Sequence, residues 1–375
     1  MKKIIIFQSL FLTFAASLSF GIGLGFSSLI SFAGSSLPMI EYRNSSGECT
    51  KVVSTDPFFT HELVENIVTR NLSQGKVNLN ESENISVYLE NKNCIENNLE
   101  KSVECRKTTF LGALYPVLIS EHKFYFTARH IFAGKSELGR VVFDEKLNLN
   151  DYLIIELQGN GKEINSDLYE DLLVFVPNQF VTSKCSPSSN NIDLESSCYE
   201  KIRKVLTHSF VDPKVKSFWV GLQPVQNDNS HVRFQYSAGN IESTDLISDK
   251  ILKESSHQLD YLRNYFSLVK NVSNHSEAGA SGSLIRNFNI SCYENNKGIG
   301  KPVGIVLCNW TTEKQVTYSL GLNIHKALNT SWDLKTIELN LLLQQKEQSV
   351  PFDQLNLWSG DCIPIDGRGA GGPGA

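Results

Sequence analysis

From residue 109 to about residue 330 the chain is a succession of short apolar runs broken by polar turns. Residues 109–119 and 123–127 read as strands joined by a charged turn. Residues 141–143, 152–155 and 172–176 follow, and Pro177 closes the last of them. A second series comprises 217–222, 232–236, 266–269, 283–285, 303–307 and 316–320. Short strands at close spacing predict an all-β barrel or sandwich. Between the two series, residues 178 to about 204 are rich in Ser and Asn and read as a connection. Residues 248–265 are charged and read as a partly helical surface insertion. Residues 324–341 read as a closing helical region interrupted at Asn329-Thr330-Ser331.

The amino-terminal pattern is of another kind. Lys2 and Lys3 precede an uncharged stretch over 4–33, and the next charge is Glu41. A basic start, an apolar stretch and the small residues Ser31 and Ala33 predict an export signal cleaved after Ala33, or earlier near Ser19. The stretch is also long enough to span a bilayer, so a retained anchor is the alternative. Either way the bulk of the chain is expected outside the cytoplasm, secreted or periplasmic if cleaved and membrane-anchored if not. Residues 34–104 are polar and Asn-rich; Thr60 could cap a short helix through Val64, Ile67 and Val68. This segment reads as a propeptide, a wrap around the first barrel or an accessory region. Residues 105–345 hold the two strand series, at about 105–180 and about 205–330. Residues 346–375 form a tail whose Gly-rich end is expected to be disordered.

Composition narrows the class. Of 375 residues, 41% are hydrophobic, enough for a substantial core. The formal net charge of −5 comes without a basic run, which argues against a nucleic-acid partner. A membrane partner is expected only if the amino-terminal stretch is retained. Eight cysteines behind a signal predict disulfides. Sequence proximity suggests Cys94–Cys105, Cys185–Cys198 and Cys292–Cys308. With no Cys-x-x-Cys pair, a zinc site is not expected, nor any other metal or organic cofactor.

Three short motifs carry chemistry. Gly279-Ala280-Ser281-Gly282-Ser283 sits on a turn that feeds a strand. A serine between glycines can present its hydroxyl while nearby amides point at one spot, the donor arrangement a carbonyl oxyanion needs. Thr127-Ala128-Arg129-His130 follows an apolar run, and Asp171 heads another, Leu172-Leu173-Val174-Phe175-Val176. Asp167 and Glu170 are the neighbouring alternatives to Asp171, which is preferred because the apolar strand begins directly after it. The order along the chain is His, Asp, Ser.

These motifs resemble those of the chymotrypsin-like (trypsin-fold) serine peptidases over roughly residues 105–330. Thr127-Ala128-Arg129-His130 is similar to the family's Thr-Ala-x-His, Asp171-Leu172-Leu173-Val174 to its Asp-strand motif, and Gly279 to Ser283 to its Gly-x-Ser-Gly-[Gly/Ser]. The resemblance implies two antiparallel six-stranded β-barrels with a C-terminal helix and an irregular N-terminal extension. It implies a serine endopeptidase acting on polypeptides, with Ser281 as nucleophile, His130 as general base and Asp171 fixing the imidazole. The Gly279 and Ser281 amides would form the oxyanion hole.

Departures from the family pattern bear on details. Ala280 stands where the digestive enzymes carry an acid that pairs with a freshly cut amino terminus, so that activation switch is missing. Ser283 is closer to the bacterial glutamyl-endopeptidase branch, but Val306 stands where that branch has its own histidine. Arg129 replaces a small residue and is expected to crowd or charge the region behind the triad. His275 stands at the family's pocket-base position, with an exposed loop residue as the alternative reading, and the lack of an Asp there disfavours a taste for Arg or Lys. Leu307, Cys308 and Asn309 would pair with the substrate backbone, and Asn309 would narrow the pocket, favouring small or uncharged side chains before the scissile bond. The competing class is a binding or scaffold protein of the same fold with an idle site.

Overall fold

In a computed structural model of the chain, the described residues are 39–43, 49–53, 83–91, 109–144, 147–162, 166, 168–185, 194–213, 218–226, 232–242, 265–270, 279–288, 299–311, 317–345, 349–350 and 363–364. The export or anchor stretch, the helix at 60–68, the insertion at 248–264 and the Gly-rich end lie outside them. So do Asp167, His275, Cys94, Cys105, Cys292 and Cys362. The architecture is all-β and antiparallel with few helices, consistent with the expected chymotrypsin-like class.

A small hairpin, β1 (Met39–Arg43) with β2 (Cys49–Val53), stands as its own two-stranded sheet. The first large sheet is built from β3 (Ile85–Asn91), β4 (Thr109–Ile119), β5 (His122–Thr127), β6 (Gly139–Phe143), β7 (Tyr152–Gly159) and β8 (Tyr169–Pro177). Residues from the segment 34–104 thus enter this sheet through β3. The run at 172–176 is apolar without alternation because β8 is the middle strand between β5 and β7 and is buried over 170–177. A strand covered on both faces has no reason to alternate.

The Ser/Asn-rich connection is helical where it is described: α1 (Asn178–Lys184) and α2 (Ser196–Ser209) flank the Cys185–Cys198 disulfide. Cys198, Ile202 and Leu206, spaced four apart, form the buried stripe of α2. The surrounding Ser and Asn content obscures that stripe in the sequence.

The second large sheet contains β9 (Phe218–Gln226), β10 (Val232–Glu242), β11 (Tyr265–Lys270), β12 (Leu284–Phe288), β13 (Ile299–Thr311) and β14 (Thr317–Asn323). Its pairings run β12-β9-β10-β11-β14-β13 and return to β12, so six strands close in a ring. The first sheet runs in the corresponding order, β7-β8-β5-β4-β3-β6. Among the described residues no pairing joins β6 to β7, so this sheet is open where the second is closed.

The closing region differs from a helix with one break. After α3 (Ile324–Leu328), β15 (Trp332–Thr336) adds to β7, and only then does α4 (Leu339–Gln344) follow. Trp332 and Leu334 are buried while Asp333 and Lys335 are exposed, a period of two that fits a strand and not a helix. Arg203 of α2 donates to the carbonyls of Leu328 (2.7 Å) and Trp332 (2.6 Å), tying the two regions together. Two short strands complete the chain. β16 (Ser349–Val350) pairs parallel to β8, and β17 (Ile363–Pro364) pairs antiparallel to β13. Among the described residues the first sheet therefore has eight strands and the second seven.

The core decides how the sheets meet. Trp219, Ile241, Ala280, Ile285, Val303 and Val306 form a buried cluster of their own. Leu222, Leu284, Ile305, Leu307, Leu320 and Leu322 of the second sheet belong instead to the large core shared with the first sheet. The second sheet thus contributes to two cores at once.

The disulfide closes a loop with a sequence separation of 13 between buried cysteines. Replacing both Cys185 and Cys198 with alanine is expected to cost about 2–3 kcal/mol, through a less constrained unfolded chain. A lower urea midpoint with a somewhat steeper slope, from the less compact unfolded chain, is the expected signature.

Candidate active site

His130 stands where β5 ends. Thr127 donates its hydroxyl to the Ala113 carbonyl at 2.9 Å, and the chain then turns through a 3₁₀ segment, Arg129–Ile131. The His130 amide donates to Asp171 Oδ1 at 2.9 Å, and Nδ1 lies 2.6 Å from Asp171 Oδ2. Both oxygens of one carboxylate therefore hold one residue, by its backbone and by its ring. An acceptor carboxylate puts the ring proton on Nδ1 and turns Nε2 into the acceptor side of the imidazole. Both side chains are buried. Glu170 is the adjacent carboxylate, and its Oε1 accepts the Asp171 amide at 3.2 Å.

Arg129 is fully buried behind this pair. Its Nε donates to Glu156 Oε2 on β7 at 3.0 Å, its Nη2 donates to Gln345 Oε1, and its guanidinium lies 4.1 Å over the Tyr169 ring. Arg129, expected to crowd or charge the region behind the triad, is held there by these contacts. Glu156 sits opposite, and an aromatic face and an amide take up much of the rest. Burial pushes the Glu156 carboxyl up, opposed by the Arg129 charge and hydrogen bond and by Lys335.

Ser281 lies on the turn between β11 and β12. Gly279 and Gly282 have φ of +88° and +82°, the left-handed region that an L side chain resists. A Cβ on Gly279 would come 2.3 Å from the Phe110 ring; one on Gly282 would come 2.5 Å from Thr127 Oγ1 and 2.7 Å from the Ala128 amide nitrogen. The Ser281 turn is thus seated directly on the segment that leads into His130. Gly112 of β4 makes the same junction from another side, since a Cβ there would meet Ile131 Cδ1 at 2.6 Å and the Ser281 carbonyl at 3.4 Å.

Hydrogen bonds fix the rest of the turn. Gly282 donates to the Val306 carbonyl (2.7 Å), Val306 to the Ser283 carbonyl (2.9 Å) and Ser283 to the Ala280 carbonyl (3.0 Å). Among the described residues, the amides of Gly279 and Ser281 have no hydrogen-bond acceptor. The Ser283 hydroxyl meets the buried Tyr115 hydroxyl of β4 at 2.8 Å, a polar link between the two sheets. Burial pushes the Tyr115 hydroxyl well above its usual range, tempered by Ser283, so this bond is one between neutral hydroxyls. The Ser281 hydroxyl donates to the Leu307 carbonyl at 2.8 Å.

The sequence-selected strand Leu307-Cys308-Asn309 is part of β13. Leu307 and Cys308 are buried, and Cys308 is disulfide-bonded. The backbone edge at Cys308 and Asn309 is paired with Pro364 and Ile363 of β17. Tyr115, Glu156, Gly112 and β17 escaped the sequence reading. Only Glu156 left a signal, a single charge inside the apolar run 152–157.

Two substitutions test this geometry. Gly282→Ala introduces a Cβ into backbone that cannot recede, at a φ it disfavours, and is expected to cost about 2–4 kcal/mol. Urea denaturation reads that loss. For Glu156, a raised carboxyl means the folded chain holds the proton more tightly than the unfolded chain. Its contribution is fully present below the usual value of 4.5 and is lost as pH rises through the raised value. The urea midpoint of the unsubstituted protein, relative to Glu156→Gln, is therefore expected to fall as pH rises from about 4 to about 7. A difference that stays constant or grows contradicts the assignment.

No protein-family model matches the chain, and no curated protein matches it. Among solved structures, a mutant of tobacco etch virus protease aligns at 12% identity and a TM-score of 0.30, covering 70% of this chain and 86% of that one. A thermostable serine protease from an extremophilic microorganism aligns at 9% identity and a TM-score of 0.32, covering 67% of this chain and 96% of that one. At these scores neither alignment bears on the chemistry, which rests on the residues described above.

Proposed function

We propose that this chain is an exported serine endopeptidase that hydrolyses peptide bonds through an acyl-enzyme on Ser281. The observation that carries the reading is the buried His130–Asp171 pair, with the Ser281 turn packed on the two residues that lead into it. His130, with its proton on Nδ1, takes the serine proton through Nε2 and later delivers it to the leaving amine. Asp171 holds the tautomer and stabilises the imidazolium. The Gly279 and Ser281 amides, which have no acceptor among the described residues, receive the oxyanion. No metal or organic cofactor takes part in these steps. The substrate is a polypeptide that adds a strand to the edge of β13 at Leu307, Cys308 and Asn309. Uncharged side chains precede the scissile bond.

One observation favours a second reading, an idle binding protein on the same fold: the Ser281 hydroxyl is spent on the Leu307 carbonyl. In the enzymatic reading this bond belongs to a resting rotamer, and rotation about the Cα–Cβ bond returns the hydroxyl to the imidazole.

A fluorophosphonate probe separates the two. The enzyme reading expects covalent label on Ser281, absent in Ser281→Ala. It also expects a loss of about 10⁴-fold in kcat on a peptide substrate for Asp171→Asn, which spoils the tautomer. Folded protein that takes no label, or label that survives Ser281→Ala, leaves the idle reading.

A further inference from the structure

The edge of β13 is taken up in sequence by three partners. Leu284 of β12 lies opposite Ile305, the Ser281 turn bonds to Val306 through Gly282 and Ser283, and β17 lies opposite Cys308 and Asn309. The third partner belongs to the chain's own C-terminal region and occupies the strand to which the proposed function assigns the substrate. We propose that this C-terminal segment is a tethered, substrate-like inhibitor of the Ser281 site, an inference that rests on the peptidase reading.

The register supports a substrate-like pose. β17 is antiparallel to β13, with Ile363 opposite Asn309 and Pro364 opposite Cys308. In an antiparallel pair, residues alternate between those that exchange both backbone hydrogen bonds and those that exchange none. Pro364 has no N–H, so the bonded pair is Ile363 with Asn309, and the proline falls where its missing donor costs nothing. Cys308 and Asn309 both belong to the stretch of β13 that directly follows Leu307, whose carbonyl accepts the Ser281 hydroxyl at 2.8 Å. Upstream, Ser349 and Val350 of β16 pair with Tyr169 and Glu170, directly before Asp171. The tether therefore starts at the strand that bears the carboxylate and ends at the strand that borders the serine.

Such an occupant inhibits by filling the edge along which a substrate strand would pair.

Pairing over two residues is weak, and tethering supplies an effective concentration of about a millimolar. Removal is therefore expected to lower KM for a peptide substrate about two- to tenfold, with kcat unchanged. The variants are a chain ending at residue 362 and the full chain with Ile363→Pro, which removes the bonded N–H and keeps the inference testable if the shortened chain does not fold. A binding arm needs no catalysis: a labelled peptide Ile-Pro-Ile-Asp-Gly-Arg-Gly is expected to bind the shortened Ser281→Ala protein saturably, and the full-length Ser281→Ala protein more weakly. Equal KM values with equal peptide binding, in protein that labels with fluorophosphonate, overturn the inhibitor and leave the peptidase. Protein that takes no label overturns the peptidase; peptide binding then still decides occupancy of β13.

Discussion

The close approach of Gly282 to Thr127 and Ala128 is the constraint on which the rest of the site depends. Two sheets can share a core across a broad apolar face and still slide against one another, because apolar contact has no direction. Here a turn of one sheet is seated against the backbone of the other, at a point where even a methyl group has no room. The Tyr115–Ser283 hydroxyl pair adds a directional bond beside it. Together they set where the Ser281 turn stands relative to the 3₁₀ segment that carries His130.

Behind that seam two carboxylates are arranged on adjacent strands. Asp171 on β8 holds His130, and Glu156 on β7 holds Arg129, so consecutive residues of one turn are each tied to a carboxylate. A buried ion pair such as Arg129–Glu156 contributes little net stability, since desolvation offsets most of the attraction. Its directionality matters more: the turn cannot rotate without stranding a charge. Gln345, just past α4, closes over the same guanidinium, which brings the C-terminal part of the chain to the back of the site.

Much of this was legible beforehand. Every strand expected between 109 and 320 is present, because alternating or continuous apolar runs bounded by polar turns are a local property of strands. The Asp171 choice over Glu170 was also available, since a carboxylate at the head of a buried apolar run is held in place by that run. The Cys185–Cys198 bond follows from proximity along the chain. Other features were hidden for identifiable reasons. The four-residue stripe of α2 is diluted by Ser and Asn. The strand at Trp332–Thr336 is too short for its alternation to stand out beside the helical turns on either side, and it pairs with β7, far away in sequence.

By itself the sequence determined the extended segments between 109 and 320 and the order in which a histidine, a carboxylate and a serine occur. These follow from side-chain periodicity and local backbone chemistry. The tertiary structure alone decided that Arg129 has Glu156 opposite it, that Tyr115 reaches Ser283, that the Ser281 hydroxyl rests on Leu307, and that β17 lies along β13. Each of those is a contact between residues far apart in the chain. Their partners are selected by what the packed sheets bring within a few ångströms, which no local pattern encodes.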